Sequence, residues 1–409
     1  MRPGDRPAQR PDHGRRPSAD RGPPPHRARQ PRREGLVTAT TPSPERSAVT
    51  DVPAPRAEAP PVAPPTAGAP ARPRRNPSSY AFGFLRQYSL LVLLVASVVF
   101  YSTWNDTAGV FNQTGVFQNI AASQSVLAVL TLGLLIPMIS GNLDLSIGST
   151  AGLSSIAAAG LYADQGAPLI VGLLFGIGVG SVVGLVNGLV VTRFNIDSFI
   201  VTLGTASLIL GVVNWYSGGT SIIQGIPQSI IDFGGGRALG VPKLFYVLVV
   251  VAFLVWYLLE QTPYGRNLHA IGSNKAASRL VGIRVERDTC LAFVLSGTFA
   301  GLAGVMVLAQ QGAGNPQVGQ SFTLTAIAAA FLGAASFKLG KLNVLGSLVA
   351  IFFLAVNITG LQFAGVANWI SDVFTGLSLV LAVAFAGILS RPRKHKPAAT
   401  SAPAEATGA

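Results

Sequence analysis

Apolar residues fall into ten runs of about 17–25 residues, the length a helix needs to cross a bilayer. They lie near 85–103, 119–139, 144–162, 168–192, 198–216, 244–260, 288–310, 322–337, 343–362 and 369–389. The third and eighth carry Gly, Ala, Ser and Thr in place of Leu and are the weakest of the set. The pattern predicts an all-α polytopic transmembrane helical bundle of about ten spans, with a membrane body over 80–390.

The basic residues fix an orientation for those spans. With the amino terminus inside, every Lys and Arg of the 30 except Arg237 and Lys243 falls on the cytoplasmic side. Cytoplasmic loops are enriched in this way. A miscount by one span would move Arg266, Lys275, Arg279, Arg284 and Arg287 outside, so the pattern supports ten crossings with amino and carboxy termini cytoplasmic.

Composition then separates body from tails. Only 11% of the 409 residues are charged, against about a quarter in soluble domains. Residues 1–79 hold 15 Arg and many prolines with almost no apolar cluster. Such a segment cannot bury enough surface to offset chain entropy and reads as a disordered basic Pro/Ala-rich cytoplasmic tail; 391–409 reads as a second, shorter one. The tail lacks interleaved aromatics, so anionic membrane lipid, and no nucleic acid, is its expected partner. The first apolar stretch starts too far along for a cleavable leader and reads as an uncleaved first span.

Between helices in lipid, close packing of small residues replaces part of the hydrophobic drive. Gly172, Gly176, Gly180, Gly184 and Gly188 recur every four residues and form a slowly drifting groove on the fourth span. Gly297, Gly301 and Gly304 give the seventh span a similar face. Both read as packing surfaces. Cys290, the only cysteine, reads as a small packing residue, and no metal site is expected.

Two segments stand out as candidates for function. Ser140 to Ser149 places Asp144 between two apolar spans, where a carboxylate must be capped, paired or hydrated. It reads either as a helix cap at the membrane edge or as part of a broken helix beside a solute path. The connection Thr262–Ile283 is the longest one on the cytoplasmic side. Within it, Asn274 can cap a short helix through Ala276, Ala277 and Leu280, ended by Gly282. It reads either as a solvated basic loop or as an amphipathic element that docks into a groove on a soluble partner.

Hydrolytic chemistry has no foothold in the sequence. Gly340-Lys341 is followed by Leu342, so no phosphate-cradling loop is formed, and no metalloprotease or nucleophile-elbow motif occurs. His269 falls in the cytoplasmic connection. Asp144, Asp197 and Asp372 lie near span ends, which weakens a proton-coupled mechanism. An ion-coupled secondary carrier is thereby weakened, and a non-transport membrane scaffold would explain the spans but not the capped connection.

In these segments the sequence resembles a known family. Asn142–Ser149, the run from Asn187-Gly188 to Thr205 with Phe199-Ile200-Val201-Thr202-Leu203-Gly204, and Gly265-Arg266 to Gly282-Ile283 are similar to the membrane subunits of ribose-type ABC sugar importers. That family shares its fold with branched-chain amino acid permeases. Leu295-Ser296-Gly297, Ala300–Gly304 and Ala326–Ala329 are similar too, and the resemblance spans about 85–390. Asn142, Thr323 and Thr325 depart from the family pattern.

The resemblance implies a permease, not an enzyme, that imports a monosaccharide or similar small polar solute; a branched-chain amino acid or nucleoside is the alternative cargo within the superfamily. It implies a second permease subunit, a separate ABC ATPase that holds ATP and Mg, an extracytoplasmic solute-binding protein, and a bacterial plasma (inner) membrane. This chain would bind no cofactor itself. The aspartate motif maps onto Asp144, Leu145, Ser146 and Gly148, and the pathway would be lined by small and hydroxyl residues such as Ser146, Ser149, Thr202 and Thr205. Coupling to the ATPase would fall to Gly265, Arg266, Ala270, Gly272, Asn274, Ala276, Ala277, Gly282 and Ile283.

Overall fold

The computed structural model describes residues 87–389; the expectations for 1–79 and 391–409 lie outside the described residues. Fourteen helices are formed among them. α1 (Ser89–Thr103) meets α2 (Asn105–Phe111) at a 99° bend. The bend is fastened by the Thr107 hydroxyl, which donates to the Tyr101 carbonyl at 2.7 Å. Then follow α3 (Thr114–Ile139), α4 (Ile147–Gln165), α5 (Leu169–Arg193), α6 (Ser198–Ser217), α7 (Gln228–Gly234) and α8 (Lys243–Gln261). The remainder are α9 (Pro263–Ser273), α10 (Lys275–Leu280), α11 (Val285–Gln311), α12 (Val318–Gly333), α13 (Val344–Phe363) and α14 (Trp369–Leu389). A two-residue hairpin, β1 (Arg237–Ala238) against β2 (Val241–Pro242), precedes α8.

Each of the ten apolar runs coincides with a helix. Six helices, α3, α5, α6, α8, α11 and α13, are long and apolar enough to cross a membrane, or seven if the bent α1–α2 pair is counted as one span. α4 is built mainly of Gly, Ala and Ser with few large apolar residues and falls outside that set, and the apolar stretches of α12 and α14 are shorter. The molecule is therefore an all-α, multi-pass membrane bundle.

The second half of α3 is apolar nearly all round, as a helix at the centre of a bundle must be; Val129, Leu130, Leu132 and Leu134 have no exposed surface. α11 lies beside it and packs most extensively on α5. The small residues explain how close that approach is. A side-chain carbon on Gly184 would stand 2.2 Å from the Phe293 carbonyl oxygen, one on Gly180 2.3 Å from that of Gly297, and one on Gly297 2.2 Å from that of Gly180. Gly188 faces Cys290, whereas Gly176 meets Val305 and Ser154, and Gly172 meets the Tyr162 ring of α4. The drift of a four-residue repeat against a 3.6-residue turn thus carries the glycine row from α11 at one end to α4 at the other.

Contacts between termini sort the loops into two ends. Ser198 at the start of α6 bonds Leu143 beyond α3, Lys338 pairs with Glu260 at the end of α8, and the Phe337 N–H meets the Gln87 carbonyl before α1. Arg193, Arg266, Lys275, Arg279, Arg284, Arg287, Lys338 and Lys341 all belong to this end. At the opposite end Gln118 bonds the Gly240 carbonyl, Tyr216 bonds Asp164, and Ile222 bridges to Gly314. Arg237 and Lys243 lie there.

Candidate functional site

α3 does not hand over to α4 at the bundle edge. Pro137 lies in its last turn, and the Pro137 carbonyl accepts from the N–H groups of Ser140 and Asn142, both at 3.0 Å. Gly141 takes φ +82°, a left-handed turn that glycine adopts without steric cost. The chain then folds back inward, and α4 starts at Ile147 alongside Gly133 of α3. Residues 142–145 are thus irregular backbone inside a membrane bundle, tolerated only where its polar groups find partners. α6 supplies them: the Leu143 N–H donates to Ser198 Oγ at 3.1 Å and the Leu145 N–H to Thr202 Oγ1 at 3.0 Å.

Asp144 lies within this segment and is 2% exposed. Among the described residues the ion pairs are Arg279–Glu286 and Lys338–Glu260, so no cation balances it. Three donors do the work instead. Its Oδ1 accepts from the Ser146 N–H at 3.1 Å and the Ser146 hydroxyl at 2.7 Å, and its Oδ2 accepts from the Ser296 hydroxyl of α11 at 2.9 Å. The carboxylate also faces the positive end of α4. Because the Ser146 proton goes to Asp144, its oxygen is free to accept from Asn187 Nδ2 of α5 at 2.8 Å. Asn187 Oδ1 in turn accepts from the Thr205 hydroxyl of α6 at 2.7 Å.

One polar relay, Ser296–Asp144–Ser146–Asn187–Thr205, therefore ties α11, the α3–α4 break, α5 and α6. The structure brings Asp144, Leu145, Ser146, Thr202 and Thr205 together. Gly148 lies one turn on, where an added side-chain carbon would stand 2.0 Å from the Gly319 carbonyl oxygen of α12. Ser149 is buried there too and joins none of the relay's bonds.

Below the relay sits the α9–α10 pair. Thr262 caps α9 by accepting from the Gly265 N–H at 3.3 Å, and Pro263 occupies the first turn where its missing N–H costs nothing. Asn274 Oδ1 caps α10 by accepting from the Ala277 N–H at 2.9 Å, and Gly282, at φ +85°, lets the chain leave it. The stretch before Asn274, a loop by its sequence, is made helical by the Thr262 cap and Pro263. Gly272 presses on the end of α3: a side-chain carbon there would lie 2.0 Å from the Ile139 carbonyl oxygen. Gly265 is similarly pinned against the Leu259 carbonyl. Arg266, Ala276 and Ala277 face solvent, Ala270 and Ile283 are half-buried, and Leu280 and Val281 stand 89% and 76% exposed at the tip.

α9 is also bolted to α11. The Tyr264 hydroxyl donates to the Asp288 carbonyl at 3.0 Å, and Asn267 Nδ2 donates to Asp288 Oδ2 at 2.9 Å. Burial, with the Asp288 charge second, raises the Tyr264 pKa, so the phenol keeps its proton and its role as donor.

Asn187 and Ser296 are two of the relay's five residues, yet the sequence points to them only within stretches of family resemblance. The available signal was polarity: a lone amide in an apolar span between small residues needs a partner in another helix.

The family model described as "Branched-chain amino acid transport system / permease component" matches residues 116–383. The ribose import permease protein RbsC of Escherichia coli (strain K12) is 31% identical over 302 residues, 73% of this chain and 92% of that one. The autoinducer 2 import system permease protein LsrC of Enterobacter sp. (strain 638) is 35% identical over 261 residues, 64% of this chain and 76% of its own. The LsrD protein of the same system in Yersinia enterocolitica is 32% identical over 262 residues, covering 63% and 79%. No solved structure matches the chain. A family match over most of the bundle, joined to relatives covered over 76–92% of their own length, means that this chain belongs to the family of permease components of the branched-chain amino acid transport system type.

Proposed function

We propose that this chain is the membrane-spanning permease subunit of an ATP-binding cassette importer that brings a monosaccharide or similar small polar solute into the cytoplasm. The relatives named above are ribose and autoinducer 2 import permeases, which favours a sugar-like cargo over a branched-chain amino acid. It sits in a bacterial plasma (inner) membrane, crosses it about ten times and keeps both termini in the cytoplasm. The gathering of eight basic residues at one end of the bundle supports that orientation. ATP and Mg are held by a partner ATPase; a second permease subunit and an extracytoplasmic solute-binding protein complete the assembly.

The observation that carries the mechanism is the seat of Gly272 on the end of α3. The exposed Leu280–Val281 tip offers an apolar anchor of the sort a groove on a soluble partner accepts. Movement of that partner is passed through α9 to the α3–α4 break, and from there by the Asp144 relay to α5, α6 and α11. The relay is a two-state element: its bonds hold one arrangement of these helices and must be exchanged to reach the other.

The test is ATP-dependent uptake of radiolabelled D-ribose by proteoliposomes holding the permease with its ATPase and binding protein. Replacing Leu280 and Val281 together by Glu should cut uptake by about tenfold or more, as loss of an anchoring contact does, with membrane insertion unchanged. Unaltered uptake would overturn the coupling role. Uptake that persists without any ATPase and collapses with an uncoupler would replace the importer by an ion-coupled carrier.

A further inference from the structure

The half of the bundle remote from α9 and α10 contains a chamber that the relay does not use. α3, α12, α13 and α14 enclose about 540 Å³ there, a volume within the range of small-molecule sites. Its place follows from the helices: Thr359 and Gln362 lie in the last turns of α13, Asp372 in the first turn of α14, and Gln124 in the first half of α3. Its lining sets polar side chains among apolar ones. Gln124, Thr359, Gln362, Asp372 and Thr375 all line it, and among the described residues none of these side chains has a hydrogen-bond or ion-pair partner. Thr375 is nearly buried as well.

Asp372 is exposed at the rim, and Gln124, Thr359 and Gln362 are half-buried; with no bond among the described residues, these side chains leave their donors and acceptors open to a polar guest that enters the cavity. The mixture defines that guest. Two primary amides both give and accept hydrogen bonds, two hydroxyls do the same, and a single carboxylate only accepts while ionised. Phe322 adds an aromatic surface to the same wall. Neighbouring hydroxyl groups of a sugar can donate to the two oxygens of one carboxylate, while its C–H face rests on an aromatic ring. A site for an anion would need cations, and none lines this one.

We infer that this chamber is a binding subsite within a single permease subunit for a neutral polyhydroxylated solute, with Asp372 and Gln362 as its principal anchors. The inference rests on the importer reading and adds to it a holding place distinct from the Asp144 relay.

The test uses the complete importer in proteoliposomes and radiolabelled D-ribose as probe, with a panel of labelled pentoses and hexoses beside it. Asp372→Asn keeps the shape and removes the charge-assisted acceptor; it should raise the KM for uptake about tenfold to a hundredfold. Gln362→Ala should act in the same direction, and ATPase stimulation by the loaded binding protein should stay within about twofold of the parent. As a direct readout, Thr375→Cys in a Cys290→Ser background should react with a methanethiosulfonate reagent and be protected by the transported sugar. A KM unchanged in both variants, or a labelling rate indifferent to sugar, overturns the subsite while leaving the importer standing. Uptake and coupled ATPase falling together would assign the variants a structural effect and also overturn it. Absence of ATP-dependent uptake of every sugar by the parent importer removes the reading beneath the proposal, and the proposal with it.

Discussion

Whether the Asp144 relay is an energetic unit can be settled with two substitutions and their combination. Ser296→Ala deletes the hydroxyl that donates to Asp144 Oδ2 at 2.9 Å, in a site where Ser296 has no exposed surface. No water can enter without disrupting the packing, so one oxygen of a buried carboxylate loses its only donor, at a cost of about 1.5–3 kcal/mol. Asp144→Asn behaves differently. Its remaining oxygen keeps both bonds from Ser146, and the new Nδ2 faces Ser296 Oγ, which can reverse and accept. In that background Ser296→Ala removes only a neutral hydrogen bond, worth about 0.5–1.5 kcal/mol. The double-mutant cycle should therefore show coupling of about 1 kcal/mol. Reversible unfolding in mixed SDS micelles, followed by tryptophan fluorescence and circular dichroism, measures all four corners. Additivity within about 0.3–0.5 kcal/mol would refute the relay as a coupled element.

Three further outcomes follow from packing and capping. Gly184→Ala brings a methyl group to within 2.2 Å of a carbonyl oxygen of α11; although alanine favours a helix by about 1 kcal/mol, the rigid contact wins, and a net loss of about 1–3 kcal/mol is expected in the same unfolding assay. Asn343 caps α13 through Gly346 N–H at 2.7 Å and donates to the carbonyls of Gly333, Ser336 and Lys341; Asn343→Ala should cost about 2–3 kcal/mol, the upper end for a cap together with stranded buried carbonyls. Gly272→Ala, which meets the Ile139 carbonyl at 2.0 Å, should lower ATP-dependent uptake while insertion and ATPase binding persist. Normal uptake would show that the α3 end is not part of the transmission path.

The periodicity of apolar runs reached every long helix, because in lipid a span must be both long and apolar. It misjudged ends where polar residues decide them: α4 begins at Ile147 and not at Asp144, since the carboxylate is spent on Ser146 and Ser296 ahead of the helix. α12 stops at Gly333, with the turn that follows tied by Asn343 and Gln87. The Asp144 segment was legible because a charge in an apolar stretch is conspicuous. Its partners were not, since an Asn and a Ser separated from it by 43 and 152 positions share no local pattern. The chamber near Asp372 was invisible for the same reason: its walls come from four helices far apart in the chain.

The attachment of α6 has a consequence of its own. This helix turns Ile200, Leu208 and Trp215 outward, at 65%, 72% and 83% exposure, and keeps only Ile209 and Val213 as deeply buried apolar residues. What fastens it at its starting end is Ser198, Thr202 and Thr205, three oxygens on a single stripe hooked to a backbone and an amide. Such hooks are firm while dry, because hydrocarbon offers no competing partner, and loosen as soon as water arrives, because each can be exchanged for a solvent bond at little net change. Wetting the interior would thus release α6 ahead of the glycine-locked α5–α11 pair, and amide exchange along Ser198–Thr205 should quicken in turnover while that of Gly297–Gly304 does not.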